Sequence, residues 1–208
     1  MQATHTPTPL PSLTLGGLLA AIAAKTPAPG GGAVASITGA LGGALAQMVL
    51  SYSLGKKSLA PHEAELAQAM HVLGNARGLL LGLADEDAAA YGAVNELGRL
   101  PETDPRRIAE YPLAVEASVQ VPLATAAACV DLLRLFARLA GITNRQLRSD
   151  LAIAAILCDA AVRASRWNVL VNAGSLPPAG QGRVMETIAT LTAESGRLCV
   201  VVEGACSA

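Results

Sequence analysis

"TPAPGGGAVASITGALGGALAQMVLSYSLGKK", Thr26 to Lys57, decides the fold. From Thr26 to Gly55 it carries no charged side chain, which is enough length to cross a bilayer at about 20 residues per span. Its composition argues otherwise. The run opens on Pro27, Pro29 and three glycines, is built from Ala, Gly, Ser and Thr more than from Leu, Ile or Phe, and holds Gln47. Such a segment gains little by entering lipid. Ala35, Gly39 and Gly43 recur at i, i+4 and i+8, so small residues share one helical face on which another backbone can approach closely. The stretch is therefore expected to form a helix from about Gly32 to Ser53, buried inside protein rather than in a membrane.

The rest of the 208-residue chain fits that interior helix. Fifteen Lys and Arg against sixteen Asp and Glu leave the net charge near zero, with no basic stripe of the kind nucleic acid requires. The aromatic residues are Phe136, Trp167, Tyr52, Tyr91 and Tyr111, so the core must come from Ala, Leu, Val and Gly, which favours closely packed helices. Apolar residues at helical spacing predict a first helix over 13–24, ended by Pro27 and Pro29. "LGKKS" is a break. Residues 60–100 read as helix, with Pro61 in the first turn. "LPETDP" is a turn, and 106–139 is helical with an early break at Pro112 and a kink at Pro122. Thr143 and Gln146 have capping-box spacing for a helix running to about Asn172. "AGSLPPAGQG" is a loop, and a last helix starts near Arg183, with "LCVVVEGACSA" as its end. No segment alternates with period two for long, and no repeat is evident. The prediction is an all-α bundle of about six long helices, a single domain over 13–208 preceded by a flexible Thr/Pro-rich tail over 1–12. That tail has no signal-peptide pattern, and a cytoplasmic location is the expectation. Cys129, Cys158, Cys199 and Cys206 contain no CxxC pair, and His5, His62 and His71 make no ligand pattern with them, so no metal is expected.

"PAPGGGAV" leads into a helix, where first-turn N–H groups are free to meet an anion or a polar ligand. It is not a phosphate loop of the GxxxxGK type, since Lys56 and Lys57 follow the helix, and no strand precedes it as a dinucleotide fingerprint requires. On chemistry alone it is a tight turn or a binding loop. Lys56 and Lys57 likewise read as a solvated pair at a helix C-terminus, where cations suit the dipole.

Four ordered motifs carry a resemblance: "TPAPGGGAVASITGALGGALAQMV" with "LGKK", then "DEDAAAYGAV", then "VPLATA", then "GITNRQLRSDLAIAAILCDAAVRASRWNVLVNAGSL". Together they span about residues 13–177 and resemble the cyclodeaminase/cyclohydrolase family. The resemblance implies an all-helical homodimer acting on tetrahydrofolate derivatives. One branch of that family releases ammonia from 5-formimino-tetrahydrofolate; another hydrates 5,10-methenyl-tetrahydrofolate to the 10-formyl form. The chain departs from the family pattern at Ser58 and Leu59 after "GKK", in the loop "PPAGQG", and in its few aromatic residues.

Both reactions pass through a tetrahedral carbon bridging two nitrogens, and need an acid/base group in a closed pocket with donors for a flat ring and an anionic tail. Asp87 is the first catalytic candidate, because it shares a helical stripe with Leu80, Ala84, Tyr91 and Val94, where partial desolvation raises a carboxyl pKa. Its rival reading is an exposed acidic patch with Asp85 and Glu86. Asp150 is the second, ahead of the apolar face of Ile153, Ala154, Leu157 and Ala161; its rival role is a cap or dipole partner. Pro29, Gly30, Gly31 and Gly32 are expected to bind substrate, as are Asn168 and Asn172, which share a face with Ser165 or else tie helices together. Lys56 and Lys57 are candidates to hold the glutamate carboxylates or the polar ring. Asp159 and Arg163 form an ordinary i, i+4 pair. The leading expectation is a methenyltetrahydrofolate cyclohydrolase using no metal. Its alternatives are a cyclodeaminase and a non-catalytic helical dimer that binds folate or a partner protein. A folate and a second copy are the expected partners, with neither nucleic acid nor a membrane among them.

Overall fold

A computed structural model describes residues 9–207. Six α-helices follow one another: α1 (Leu15–Ala23), α2 (Gly31–Ser51), α3 (Glu63–Gly98), α4 (Pro105–Leu139), α5 (Arg148–Ala173) and α6 (Pro178–Ser207). Short 3-10 turns at Leu10–Ser12, Lys57–His62 and Arg145–Leu147 join them, and the described residues contain no strand. Helices α2 to α5 form a four-helix bundle. Each of α2 and α4 packs against both α3 and α5, α2 and α4 face each other across the diagonal, and α6 lies on α4 and α5. The all-helical expectation holds.

Helix α2 is the closely packed member. Ala35, Gly39 and Gly43 are all buried, as the spacing predicts, and so is Gly42. A Cβ on Gly39 would stand 2.5 Å from the Cys129 sulfur, and one on Gly42 would stand 2.8 Å from the Cys158 sulfur and 2.9 Å from the Ala154 carbonyl oxygen. The glycines thus let α2 reach α4 and α5, and the leucines of α3 and α4 with Phe136 fill the remaining core. Gly42→Ala sets overpacking of about 1–3 kcal/mol against a helix-propensity gain of about 1 kcal/mol. Because one obstacle is backbone, which cannot rotate away, the expected outcome is net destabilisation, seen as a lower denaturant midpoint with an unchanged m-value.

By length and composition α2 and α4 are both apolar enough to cross a membrane, with mean hydropathies of 1.6 and 1.5 over their most apolar windows. Those windows are 56% and 61% buried within the bundle, so protein covers most of what lipid would otherwise meet.

Three boundaries differ from expectation. The break expected at Pro112 is absent, and helix α4 continues through both Pro112 and Pro122. A proline in a helix frees the carbonyl four residues back. Pro112 and Ile108, whose carbonyl it frees, are both exposed; Pro122 is buried, and the carbonyl it frees, that of Ser118, accepts instead from Asn172 Nδ2 at 2.9 Å. Thr143 does not cap α5: the Asn144 side chain accepts from the Gln146 N–H, and a 3-10 turn precedes the helix. Helix α6 begins at Pro178, not near Arg183, since a proline suits the first helical position and Gln181 Nε2 donates to the Leu176 carbonyl at 2.7 Å. Of the tail expected over 1–12, residues 1–8 lie outside the described residues; the Leu10 N–H donates to Asp85 Oδ1 at 2.8 Å.

Candidate functional site

The start of α2 is a helix end without a cap of its own. Gly30 occupies the N-cap position and has no side chain to accept from the first turn. The missing acceptor comes from α3: Asp87 Oδ2 accepts from the Ala33 N–H at 2.9 Å. Gly32 makes this approach possible, because a Cβ there would overlap the Asp87 carboxylate. Two sequence features far apart, a glycine run and an acidic turn, are thereby one structural unit.

A cavity of about 260 Å³ opens beside this contact. Gly30, Gly31 and Gly32 form its floor with Pro27, α3 contributes Asp87 and Tyr91, α4 contributes Ser118, and α5 contributes Asn168, Val171 and Asn172. Among these lining residues Asp87 is the one carboxylate, and no Lys, Arg or His stands with it. Burial pushes the Asp87 carboxyl above its ordinary value of 3.8, and the Ala33 N–H pulls it partly back. The result is a half-buried carboxylate with one oxygen anchored to backbone. Its position is set by the fold, and its proton affinity is raised toward the range where a group can both take and give a proton.

The two asparagines are oriented by backbone. Asn168 Nδ2 donates to the Ala164 carbonyl at 3.3 Å, with its oxygen beside Gly31, and Asn172 Nδ2 donates to Ser118. One N–H of each amide is engaged, which leaves its second N–H and its side-chain oxygen free for a ligand. The Asn172 bond exists because Pro122 cannot make its helical one. Asn172→Ala therefore leaves a buried carbonyl unpaired, at an expected cost of about 1–3 kcal/mol. In a Pro122→Ala background the restored helical N–H takes over, and the same substitution is expected to cost less. A double-mutant cycle followed by chemical denaturation measures that coupling.

Of the sequence-derived candidates, the structure brings together Gly30, Gly31, Gly32, Asp87, Asn168 and Asn172. Pro29 is not part of the lining, whereas Pro27 is. Asp150 is half-buried in the first turn of α5, at the opposite end of that helix from Asn168 and Asn172. Lys56 belongs to a separate cleft beyond the far end of α2, and Lys57 is exposed. With 21 residues at about 1.5 Å rise each, α2 holds the two ends apart. Within one chain, then, Asp150, Lys56 and Lys57 do not join Asp87. Ser165 is fully buried with its hydroxyl unpartnered. Asp159 pairs with Arg163 at 3.9 Å as expected, but its short contact is with Ser195 of α6, at 2.7 Å. Tyr91 and Ser118 are lining residues that sequence reasoning did not select. Tyr91 lies one turn from Asp87 on the same face, and Ser118 lies four residues before a helical proline; both signals were available.

Comparison with known proteins places most of the chain among relatives. The family described as Formiminotransferase-cyclodeaminase matches residues 14–182. The chain is 33% identical to the methenyltetrahydrofolate cyclohydrolase of Methylorubrum extorquens, over 89% of this chain and 91% of that one. It is 30% identical to the formimidoyltransferase-cyclodeaminase of Gallus gallus over 76% of this chain, and 31% identical to that of Sus scrofa over 84%. The chain spans about a third of those two vertebrate proteins, at 30% and 33% of their lengths. The crystal structure of a formiminotetrahydrofolate cyclodeaminase from Thermotoga maritima superposes with a TM-score of 0.88 at 28% identity, covering 95% of this chain and 98% of that one.

Proposed function

The chain belongs to the formiminotransferase-cyclodeaminase family, and from that premise we propose that it is a methenyltetrahydrofolate cyclohydrolase in which Asp87 is the acid/base group. The observation that carries the reading is the single half-buried carboxylate in a cavity lined by no cationic side chain. The bridge of 5,10-methenyl-tetrahydrofolate is a cationic carbon between N5 and N10, so a lone carboxylate is complementary to it. The near full-length similarity to a cyclohydrolase supports the same choice.

The chemistry follows from the geometry. Asp87 takes a proton from a water that attacks the bridge carbon, and a C–O bond forms. The tetrahedral carbon then collapses: the C–N5 bond breaks, Asp87 returns its proton to N5, and the hydroxyl loses its proton to solvent as the formyl C=O forms on N10. One water is consumed and one proton released. The anchor from the Ala33 N–H to Oδ2 leaves Oδ1 without a hydrogen bond, as the base, and the Asn168 and Asn172 oxygens accept from the pterin edge.

A cyclodeaminase activity is the second reading, favoured by the name of the Thermotoga neighbour. It uses the same tetrahedral carbon with ammonia as the leaving group. Ultraviolet absorbance separates the two. Loss of the methenyl band beyond a protein-free control supports the hydrolase. Appearance of that band from 5-formimino-tetrahydrofolate, with ammonia, supports the deaminase and displaces the hydrolase reading if methenyl loss is unaccelerated.

We further propose a homodimer. Helix α1 is uncharged and has no buried residue, with Leu15 and Leu19 exposed, and the outward face of α2 presents Val34 and Leu41, with Tyr52 exposed just past its end. Apolar surface on two successive uncharged helices is suited to cover by a second copy. Leu41→Lys is expected to shift the sedimentation mass toward one chain; an unaltered mass places the contact elsewhere.

A further inference from the structure

The cleft beyond the C-terminal end of α2 is built from opposite chemistry to the cavity at its start. It has a volume of about 420 Å³ and gathers Lys56, Arg145 and Arg148 around Thr143, Asn144 and Gln146. Among the described residues, none of the three cations lies within 4.0 Å of a carboxylate, although eight other ion pairs form across the surface. Glu63, the acid close in sequence to Lys56, is occupied with the Gly55 N–H at 3.1 Å.

Two buried donors here have no partner. Thr143 is 2% exposed and its hydroxyl makes no hydrogen bond; Arg148 Nε is buried and likewise unpaired. A buried donor left unmade costs about 1–3 kcal/mol, and here two such donors adjoin three cations that no carboxylate neutralises. The surrounding backbone is fixed in advance. The Asn144 N–H donates to Ser53 Oγ at 2.9 Å, Asn144 Nδ2 reaches the Tyr52 carbonyl, and Gly55, at φ 75°, turns the chain so that Lys56 comes back over the cleft. Glycine takes that left-handed conformation without steric cost.

We propose that this cleft is an anion-binding site, separate from the cavity at Asp87, that takes a carboxylate- or phosphate-bearing ligand. Three cations with planar and point-charge donors give charge-assisted hydrogen bonds to either group. Two sources supply such chemistry: the γ-glutamyl tail of a folate, which rests on the proposed reaction, and a free inorganic anion, which does not.

The test is titration calorimetry at low salt with two probes that contain no pterin, inorganic phosphate and tri-γ-glutamate. Wild type is compared with Lys56→Gln/Arg145→Gln and with Asp87→Asn. Lys56 is partly exposed and Arg145 exposed, so the double variant is expected to fold; a thermal melt checks this, and Arg145→Gln alone replaces it otherwise. The expected result is saturable binding of at least one probe, weakened about tenfold or more by the double substitution and unchanged in Asp87→Asn. Binding of tri-γ-glutamate assigns the tail; binding of phosphate alone assigns a free anion. The proposal is overturned if neither probe binds at millimolar concentration, or if the double variant binds as wild type does. Neither failure bears on turnover at Asp87.

Discussion

Asp87→Asn is expected to lower kcat by about two to four orders of magnitude while leaving the fold intact. The asparagine oxygen can still accept from the Ala33 N–H, so the start of α2 keeps its cap and only the proton-transferring function is lost. Because the substitution removes a group needed in the transition state rather than in substrate binding, KM is expected to change little. The pH dependence carries the same signature. The Asp87 carboxyl is raised by burial, so wild-type turnover is expected to fall as pH drops through a value above 3.8, and the residual rate of Asp87→Asn should lack that acidic limb. Stability runs with the opposite sign. Below 3.8 both the folded and unfolded forms are protonated and burial of the group is uncharged. As pH rises through the raised folded value, the native state is penalised for holding the anion, and that penalty persists at neutral pH. Asp87→Asn is therefore expected to be neutral or slightly stabilising at neutral pH, which separates it from Asp87→Ala, where the cap is lost at about 0.5–2 kcal/mol. Turnover and denaturant melts on the two variants, across pH, check both signs.

Gly32→Ala is expected to reduce turnover by about a hundredfold or more although alanine is the better helix former. A Cβ at this position overlaps the carboxylate, so Asp87 must swing away, and the Ala33 cap and the catalytic placement go together. The helix-propensity gain of about 1 kcal/mol roughly offsets the lost cap, leaving stability near wild type and activity low. Gly31→Ala is the control: its Cβ would meet Asn168 Oδ1 at 3.5 Å, an ordinary contact, and much more activity should survive. Kinetics with a denaturant melt for each variant distinguish a specific collision from general damage to the loop.

That contrast between adjacent glycines marks what sequence reasoning could reach. The uncharged small-residue run fixes α2 as an interior helix, and the 3.6-residue period places Asp87 and Tyr91 on the face that meets it. The partnership of Asp87 with Gly32 is invisible along the chain, because it depends on the separation of α2 and α3, which the side chains of the whole bundle set. The missing N–H of Pro122 marks a freed carbonyl in the sequence, but the donor that meets it, Asn172, sits on another helix and appears only after folding. Lys56 and Asp150 share motifs with site residues, but helices of 21 and 26 residues carry those motif ends away from the cavity. Proximity in sequence is a poor guide once a helix exceeds a few turns. The start of α6 is hard to place from sequence because two consecutive prolines look like loop, while the second is well suited to open a helix.

The most direct measurement follows the first-order loss of 5,10-methenyl-tetrahydrofolate absorbance for wild type and Asp87→Asn side by side, in a buffer that hydrolyses the bridge slowly. Acceleration by wild type above the protein-free rate, lost in a folded Asp87→Asn protein, is the result expected of a carboxylate that activates water at the bridge. Equal acceleration by both proteins would remove Asp87 from the chemistry, and no acceleration by wild type would remove the hydration reaction itself.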